Sequence, residues 1–239
     1  MRMDHRTVSI SNTSSRPLVR AFVQARMSSQ RFPGKVLAPF RNEPIIVHVL
    51  RAVERVLDRS LIVVATSVEP SDDPLWSYLN GAGYHVFRGP LSDVFERFRL
   101  CLGAFPADWI MRISADSPLL QQEPVEKVVG LASRQDCDLV TTIFPRTFPR
   151  GSNAELIRTE TFLCIDPSQL TAHDREHVTP FYYRNADRFR IVNVTSHDPD
   201  MAELSLAVET IEDLQNLDRL SQEVGNRLSH TSLQAVDGS

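Results

Sequence analysis

The stretch Leu18-Val19-Arg20-Ala21-Phe22-Val23 runs directly into Gln24-Ala25-Arg26-Met27-Ser28-Ser29-Gln30-Arg31-Phe32-Pro33-Gly34-Lys35. The first six residues are a mainly apolar run of strand character. The next twelve carry Arg26, Arg31 and Lys35 among small residues, Ala25, Ser28, Ser29 and Gly34, which let a backbone approach a ligand closely. No Asp or Glu occurs from His5 to Asn42, although the chain of 239 residues has a formal charge of −4. A cationic, small-residue loop leaving the carboxyl end of a first strand suits a polyphosphate, because backbone N–H groups and fixed positive charge converge there. The plainer alternative is a solvated basic loop.

Outward from this stretch, strand and helix patterns alternate. The spacing of Ile45, Ile46, Val49, Leu50, Val53, Val56 and Leu57 predicts a helix from Pro44 to Leu57. Leu61 to Ala65 is a continuous apolar run with β-branched residues, as expected of a strand buried on both faces of a parallel sheet. A helix over Asp72 to Asn80, ended by Gly81 and Gly83, leads to a short strand from Tyr84 to Phe87. Ser92 is placed to cap a helix carrying Val94, Phe95, Phe98, Cys101 and Leu102. Strands follow at Trp109–Ile113 and Leu139–Thr142, with a helix at Glu123–Ala132 between them. The pattern implies an α/β fold: an open, mostly parallel, Rossmann-like sheet with helices on both faces.

From Phe144 the alternation breaks at Pro145, Pro149 and Gly151. Strand-like pieces are predicted at Ala154–Ile157, Arg190–Val194 and Ser205–Val208, with a helix from Arg175 to Ala186 and another capped by Thr210 and running to about Val224. Residues 144–200 are expected to form a lid, dimerisation and acceptor-binding insertion. They would lie within a single domain spanning 17–227, between a disordered extension (1–16) and a flexible tail (228–239).

Composition narrows the function. A net acidic chain argues against general nucleic-acid binding. The hydrophobic fraction of 42% is ordinary for a globular protein. Cys101, Cys137 and Cys164 are odd in number and far apart, which supports neither a zinc ribbon nor a disulfide framework. No apolar run is long enough to span a membrane, and the first residues lack the apolar core of a secretory signal, so the expectation is a cytoplasmic protein without a membrane partner.

The residue order of 24–35 resembles the signature of the sugar-activating cytidylyltransferases, Gln/Pro-Ala-Arg-x-Gly-Ser-x-Arg-Leu-Pro-Gly-Lys, and within that family the spore-coat polysaccharide branch. Val64-Ala65-Thr66, Phe87-Arg88-Gly89, Asp93-Val94-Phe95-Glu96-Arg97-Phe98, Arg112-Ile113-Ser114-Ala115-Asp116-Ser117-Pro118, Arg175-Glu176-His177-Val178-Thr179-Pro180 and Val208-Glu209-Thr210-Ile211-Glu212-Asp213-Leu214 continue the likeness in order. The resemblance implies transfer of CMP from CTP to an acidic sugar for a surface glycan, with release of pyrophosphate, in a homodimer. It places Ala25, Arg26, Met27, Ser28, Arg31, Lys35, Thr66 and Ser114 on the nucleotide. Arg112, Glu155, Arg175 and His177 go to the acceptor, and Asp116 and Glu209 to Mg²⁺; Arg26, Lys35 and Asp116 carry the catalytic roles. Arg and Lys suit the triphosphate and the pyrophosphate leaving group. Two carboxylates suffice for Mg²⁺, which keeps several waters.

Four departures stand out. Ser28 replaces a Gly, so the loop persists only if its φ there is one an L-residue adopts. Glu209 replaces an Asp, and Arg150 and Asn153 replace acids in Arg146-Thr147-Phe148-Pro149-Arg150-Gly151-Ser152-Asn153-Ala154-Glu155. Asp116 alone would read as a turn opener, and Glu209 as a helix-start acid. His173 and His177, four apart, lack a third ligand for zinc. The rival readings are a metal-dependent glycosyltransferase, disfavoured because Ser114-Ala115-Asp116 offers one carboxylate where an Asp-x-Asp pair is needed, and a catalytically inactive nucleotide-binding regulator.

Overall fold

The computed structural model describes residues 16–217 and 219–221. The expected extension, Arg16 apart, and the expected tail lie outside them. Strand β1 (Val19–Gln24) leads through a short hairpin of β2 (Pro39–Phe40) and β3 (Glu43–Pro44) into α1 (Ile45–Glu54). Then come β4 (Ile62–Ser67), α2 (Asp73–Gly81), β5 (His85–Gly89), α3 (Val94–Ala104), β6 (Trp109–Ser114), α4 (Gln122–Gly130) and β7 (Leu139–Thr141). The chain continues through β8 (Glu155–Arg158), α5 (Thr159–Leu163), α6 (Ala172–His177), α7 (Pro180–Arg184) and β9 (Ile191–Asn193).

The main sheet has the order β5-β4-β1-β6-β8-β7-β9. All its pairings are parallel except those of β8, which runs antiparallel to both β6 and β7. Alternation along each strand sorts side chains into two layers. Ala21, Val23, Ile62, Val64, Met111 and Ile113 meet α1, α2 and α4 on one face. Phe22, Val63, Ala65 and Ile110 meet α3, α5 and α7 on the other. The chain first lays β4 and β5 to one side of β1, then crosses to lay β6 on the other. The loops after β1 and β6 therefore part at the carboxyl edge and leave a crevice, the position at which such sheets bind ligands.

Several expected elements differ. The pieces predicted inside the 144–200 insertion are strands of the main sheet, with β8 beside β6 and β9 at its edge. The helix predicted from Arg175 to Ala186 is two helices, because Val178 turns with φ +67° and Pro180 restarts the next. Buried Val178 holds this turn within the second core layer. Asp93, not Ser92, caps α3 by accepting the Glu96 N–H. Ser205–Val208 is not a strand of the sheet. Leu206 and Val208 are buried alternately as in a strand, but the Leu206 N–H bonds the Arg150 carbonyl at 2.7 Å and the Val208 N–H bonds the Asp116 carbonyl at 2.8 Å, both in loops. The predicted cap at Thr210 is present: its Oγ1 accepts the Asp213 N–H at 3.2 Å while the Asp213 carboxylate accepts the Thr210 N–H at 2.9 Å.

Candidate active site

A cleft of about 1100 Å³ opens at the crevice between the loops after β1 and β6. Seven basic and three acidic side chains line it, a strong local positive excess in an acidic protein. The polarity follows from topology, since every parallel strand delivers its following loop to this edge.

The loop after β1 is held at both ends. The Ala25 N–H bonds the Ala65 carbonyl at 3.2 Å, and the Met27 N–H donates to the Asp72 carboxylate at 2.7 Å. Asp72 also accepts from Thr66 Oγ1 at 2.9 Å and from the Ser67 N–H at 3.0 Å. Burial pushes this carboxyl upward, but its hydrogen bonds from Ser67, Met27 and Thr66 outweigh that and hold it below the ordinary range. Gly34, at φ +76°, closes the loop through its N–H to the Met27 carbonyl at 2.8 Å. Ser28 is not among the residues with positive φ, so an L-residue there brings no backbone strain.

The three cations of the loop fan out over the cleft. Lys35, whose side chain is 13% exposed, donates to Asp116 Oδ2 at 2.8 Å and to the Val208 carbonyl at 2.7 Å, tying the loop to both acidic segments. Arg31 pairs with Glu209, and Arg26 with Glu176 at 2.7 Å. The Arg26 hydrogen bond holds the Glu176 carboxyl below its usual range. The Asp213 carboxylate accepts the backbone N–H groups of Glu209 and Thr210, while the Glu209 side chain pairs with Arg31 at the cleft.

Ala25, Arg26, Ser28, Arg31, Lys35, Arg112, Ser114, Asp116, His177 and Glu209 all line this one cleft. Met27, Thr66, Glu155 and Arg175 do not. Met27 reaches Asp72 through its N–H. Thr66 is fully buried and engaged by Asp72. Arg175 ties α6 to Asp93 at the head of α3. Glu155, 0% exposed, accepts from Arg112 and from the Tyr183 hydroxyl, which burial and the adjacent carboxylate drive far above the usual phenol range. Arg112 is thereby aimed along the cleft floor, its Nε donating to Gln24 Oε1 at 3.0 Å. Burial lowers the His177 pKa below the ordinary imidazole value, against the opposing pull of the neighbouring Glu176 carboxylate.

Sequence reasoning missed Asp72, Glu176 and Arg97. Arg97 is almost wholly buried, with its pKa pushed down to about 10 by burial, and donates to the carbonyls of Pro90 and Leu91. Asp72 looks like any helix-start acid, because its partners lie on two other segments. Glu176 was signalled only by its place before His177.

A family model described as cytidylyltransferase matches residues 21–232. The spore coat polysaccharide biosynthesis protein SpsF of Bacillus subtilis is 30% identical over 213 residues, covering 86% of this chain and 87% of that protein. A 3-deoxy-manno-octulosonate cytidylyltransferase of Anaeromyxobacter dehalogenans is 29% identical over 116 residues, 47% of this chain and 46% of that one. The solved structure of a cytidylyltransferase from Leptospira borgpetersenii superposes with a TM-score of 0.79 at 28% identity, covering 84% of this chain and 85% of that chain. The chain belongs to the cytidylyltransferase family, enzymes that use CTP for nucleotidyl transfer.

Proposed function

We propose that this cytidylyltransferase joins CMP to an acidic sugar, or a related acid, for a surface polysaccharide. The observation that carries this reading is the Lys35 ammonium bonded to both Asp116 and the Val208 carbonyl, beside Arg26 and Arg31, at the sheet's switch point. The acceptor hydroxyl attacks the α-phosphorus, a new P–O bond forms, and the bond to the bridging oxygen breaks to release pyrophosphate. Arg26, Arg31 and Lys35 hold the phosphates and compensate the leaving group. Arg112, aimed by Glu155, and His177 line the same cleft as Asp116 and would meet the acceptor.

Asp116 and Glu209 fit Mg²⁺. Among the described residues no three His, Cys, Asp or Glu cluster as a closed metal cage, but magnesium is ordinarily held by one or two carboxylates together with substrate phosphates and water. Asp116 Oδ1 accepts only a long 3.3 Å bond from Ser117, which leaves it capacity for a cation. Bound there, the ion would neutralise developing phosphate charge and lower the pKa of the acceptor hydroxyl.

A homodimer built on residues 144–186 belongs to this reading, supported by the exposed apolar side chains of Phe144 and Leu163 in that region.

Pyrophosphate release from CTP with a panel of nonulosonic and octulosonic acids, with mass detection of the CMP product, tests the reaction. Asp116→Asn should abolish it with the fold intact. Glu209→Asp should keep activity where Glu209→Gln loses it. Full activity in all three variants would remove both acids from the metal site.

A further inference from the structure

The basic residues of the cleft fall into three groups by their compensation. Arg26, Arg31, Lys35 and Arg112 each pair with a carboxylate. Arg97 is spent on backbone carbonyls. Arg146 and Arg150 also line the cleft, and neither forms an ion pair with any described residue. Arg146 Nη1 donates to Asn153 Oδ1, a neutral acceptor, at 2.7 Å. Glu155, the carboxylate whose charge acts on Arg146, is already engaged by Arg112 and Tyr183. Burial, and next the charge of Arg150, lower the Arg146 pKa, so two like charges face the same space.

Their position separates them from the triphosphate. Both hang from the connection between β7 and β8, on the far side of β6 from the loop after β1. That connection is fixed against the reacting centre. The Arg150 N–H bonds the Leu204 carbonyl at 2.9 Å, and its carbonyl receives the Leu206 N–H. Gly151 sits so close to Ser117 and to the Leu206–Ala207 backbone that a Cβ there would meet Ala207 N at 2.7 Å and Ser117 Oγ at 2.9 Å. The connection carrying Arg146 and Arg150 thus packs against Ser117, the residue after Asp116, in the cleft that all four line.

We infer that the acceptor carries two anionic groups, with its second acid group, a phosphate or a further carboxylate, held by Arg146 and Arg150. This rests on the cytidylyltransferase reading of the same cleft. An acceptor with a single carboxylate would leave this pair of guanidinium groups uncompensated, and Arg146 only partly hydrated. Two guanidinium groups, Arg146 held by Asn153 and Arg150 carried on a backbone anchored to Leu204 and Leu206, match a planar carboxylate or a phosphate through paired N–H donors.

The test compares matched acceptors: 3-deoxy-manno-octulosonate with its 8-phosphate, and N-acetylneuraminate with its 9-phosphate. Pyrophosphate release is measured with CTP, and acceptor binding by calorimetry with a non-hydrolysable CTP analogue present. Wild type should favour the phosphorylated member at least about tenfold in kcat/KM or in Kd, with the preference shrinking as salt is raised. Arg150→Gln and Arg146→Gln should each bring the ratio toward unity through KM and Kd, with circular dichroism checking the fold. Equal use or binding of the two members by wild type overturns the inference, as does a Gln variant that weakens both members by the same factor. Absence of pyrophosphate with every acceptor would instead count against transfer to sugar acids, and the calorimetric ratio would still decide the anion site.

Discussion

Lys35 has the most demanding position of any residue in the cleft. Its single charge bridges the loop after β1, the carboxylate after β6 and the carbonyl preceding Glu209. On the proposed reading a triphosphate enters beside this bridge, and the ammonium held there would meet its phosphates. Removing one preorganised charge contact of this kind typically lowers turnover on the order of 10²–10³-fold. Lys35→Ala is therefore expected to lose activity on that scale while its thermal midpoint stays near wild type, since the loop is held separately by Asp72 and Gly34. Single-turnover rates alongside calorimetric melting separate the two effects. A variant with near wild-type turnover would take Lys35 out of the reaction. Ser28 shows the opposite case: an atypical residue at a loop position whose φ accommodates it.

At the scale of elements, the connection between β7 and β8 leans on the strip from Leu204 to Val208, and Gly151 is the contact point. Its φ of +94° and the 2.7 Å approach to Ala207 N leave no room for a side chain. Gly151→Ala is expected to destabilise the protein by about 1–3 kcal/mol, through backbone strain and a clash with backbone that cannot rotate away. Denaturant melts should show a lower midpoint with an unchanged slope, and the Arg150 wall should retreat from Asp116, raising the acceptor KM. An unaltered midpoint would mean that the strip yields freely. The paired helices α6 and α7 show the same logic, for the γ-like turn at Val178 ends α6 just where Glu176 and His177 must face the cleft.

For the whole molecule, acid stability follows from buried carboxylates that join distant segments. In Asp72 and Asp174, burial raises the pKa, but hydrogen bonds, from Ser67 and Met27 in the first and from Arg184 and Thr171 in the second, bring it below the ordinary value. Asp138 is lowered chiefly by its bond from Arg190. Each folded-state pKa lies below its unfolded value. The stability they contribute is thus fully present above about pH 4 and is lost as pH falls through the lower folded values. Urea midpoints should hold from pH 7 to 5 and drop steeply toward pH 3, and Asp72→Asn should flatten that drop while lowering the midpoint at pH 7. A midpoint independent of pH below 5 would contradict this assignment. The dimer belongs to the same scale. Light scattering at tens of micromolar, where a standard-size interface holds, should give twice the chain mass, and Leu163→Asp should shift the mass toward that of a monomer. A monomer mass for the unaltered protein would remove the dimer from the proposal.

Local chemistry in the sequence was enough for the alternating elements, the parallel core and the cationic loop, because period-two and helical apolar spacing and the absence of acids around Arg26, Arg31 and Lys35 need no distant partner to be read. It was also enough for the Thr210 cap, whose partner Asp213 lies within one turn. It misjudged Ser205–Val208, where alternating burial looks the same against a loop as against a strand, and Arg175–Ala186, where a turn at Val178 is held only by the core around it. Only the tertiary structure decided that Thr66 serves Asp72, that Glu155 aims Arg112, and that Arg146 and Arg150 line the cleft of Asp116 without an ion pair among the described residues. Hydrogen bonds and charge compensation depend on distance in space, and the crossing of the chain from one side of β1 to the other brings together residues separated by tens of positions.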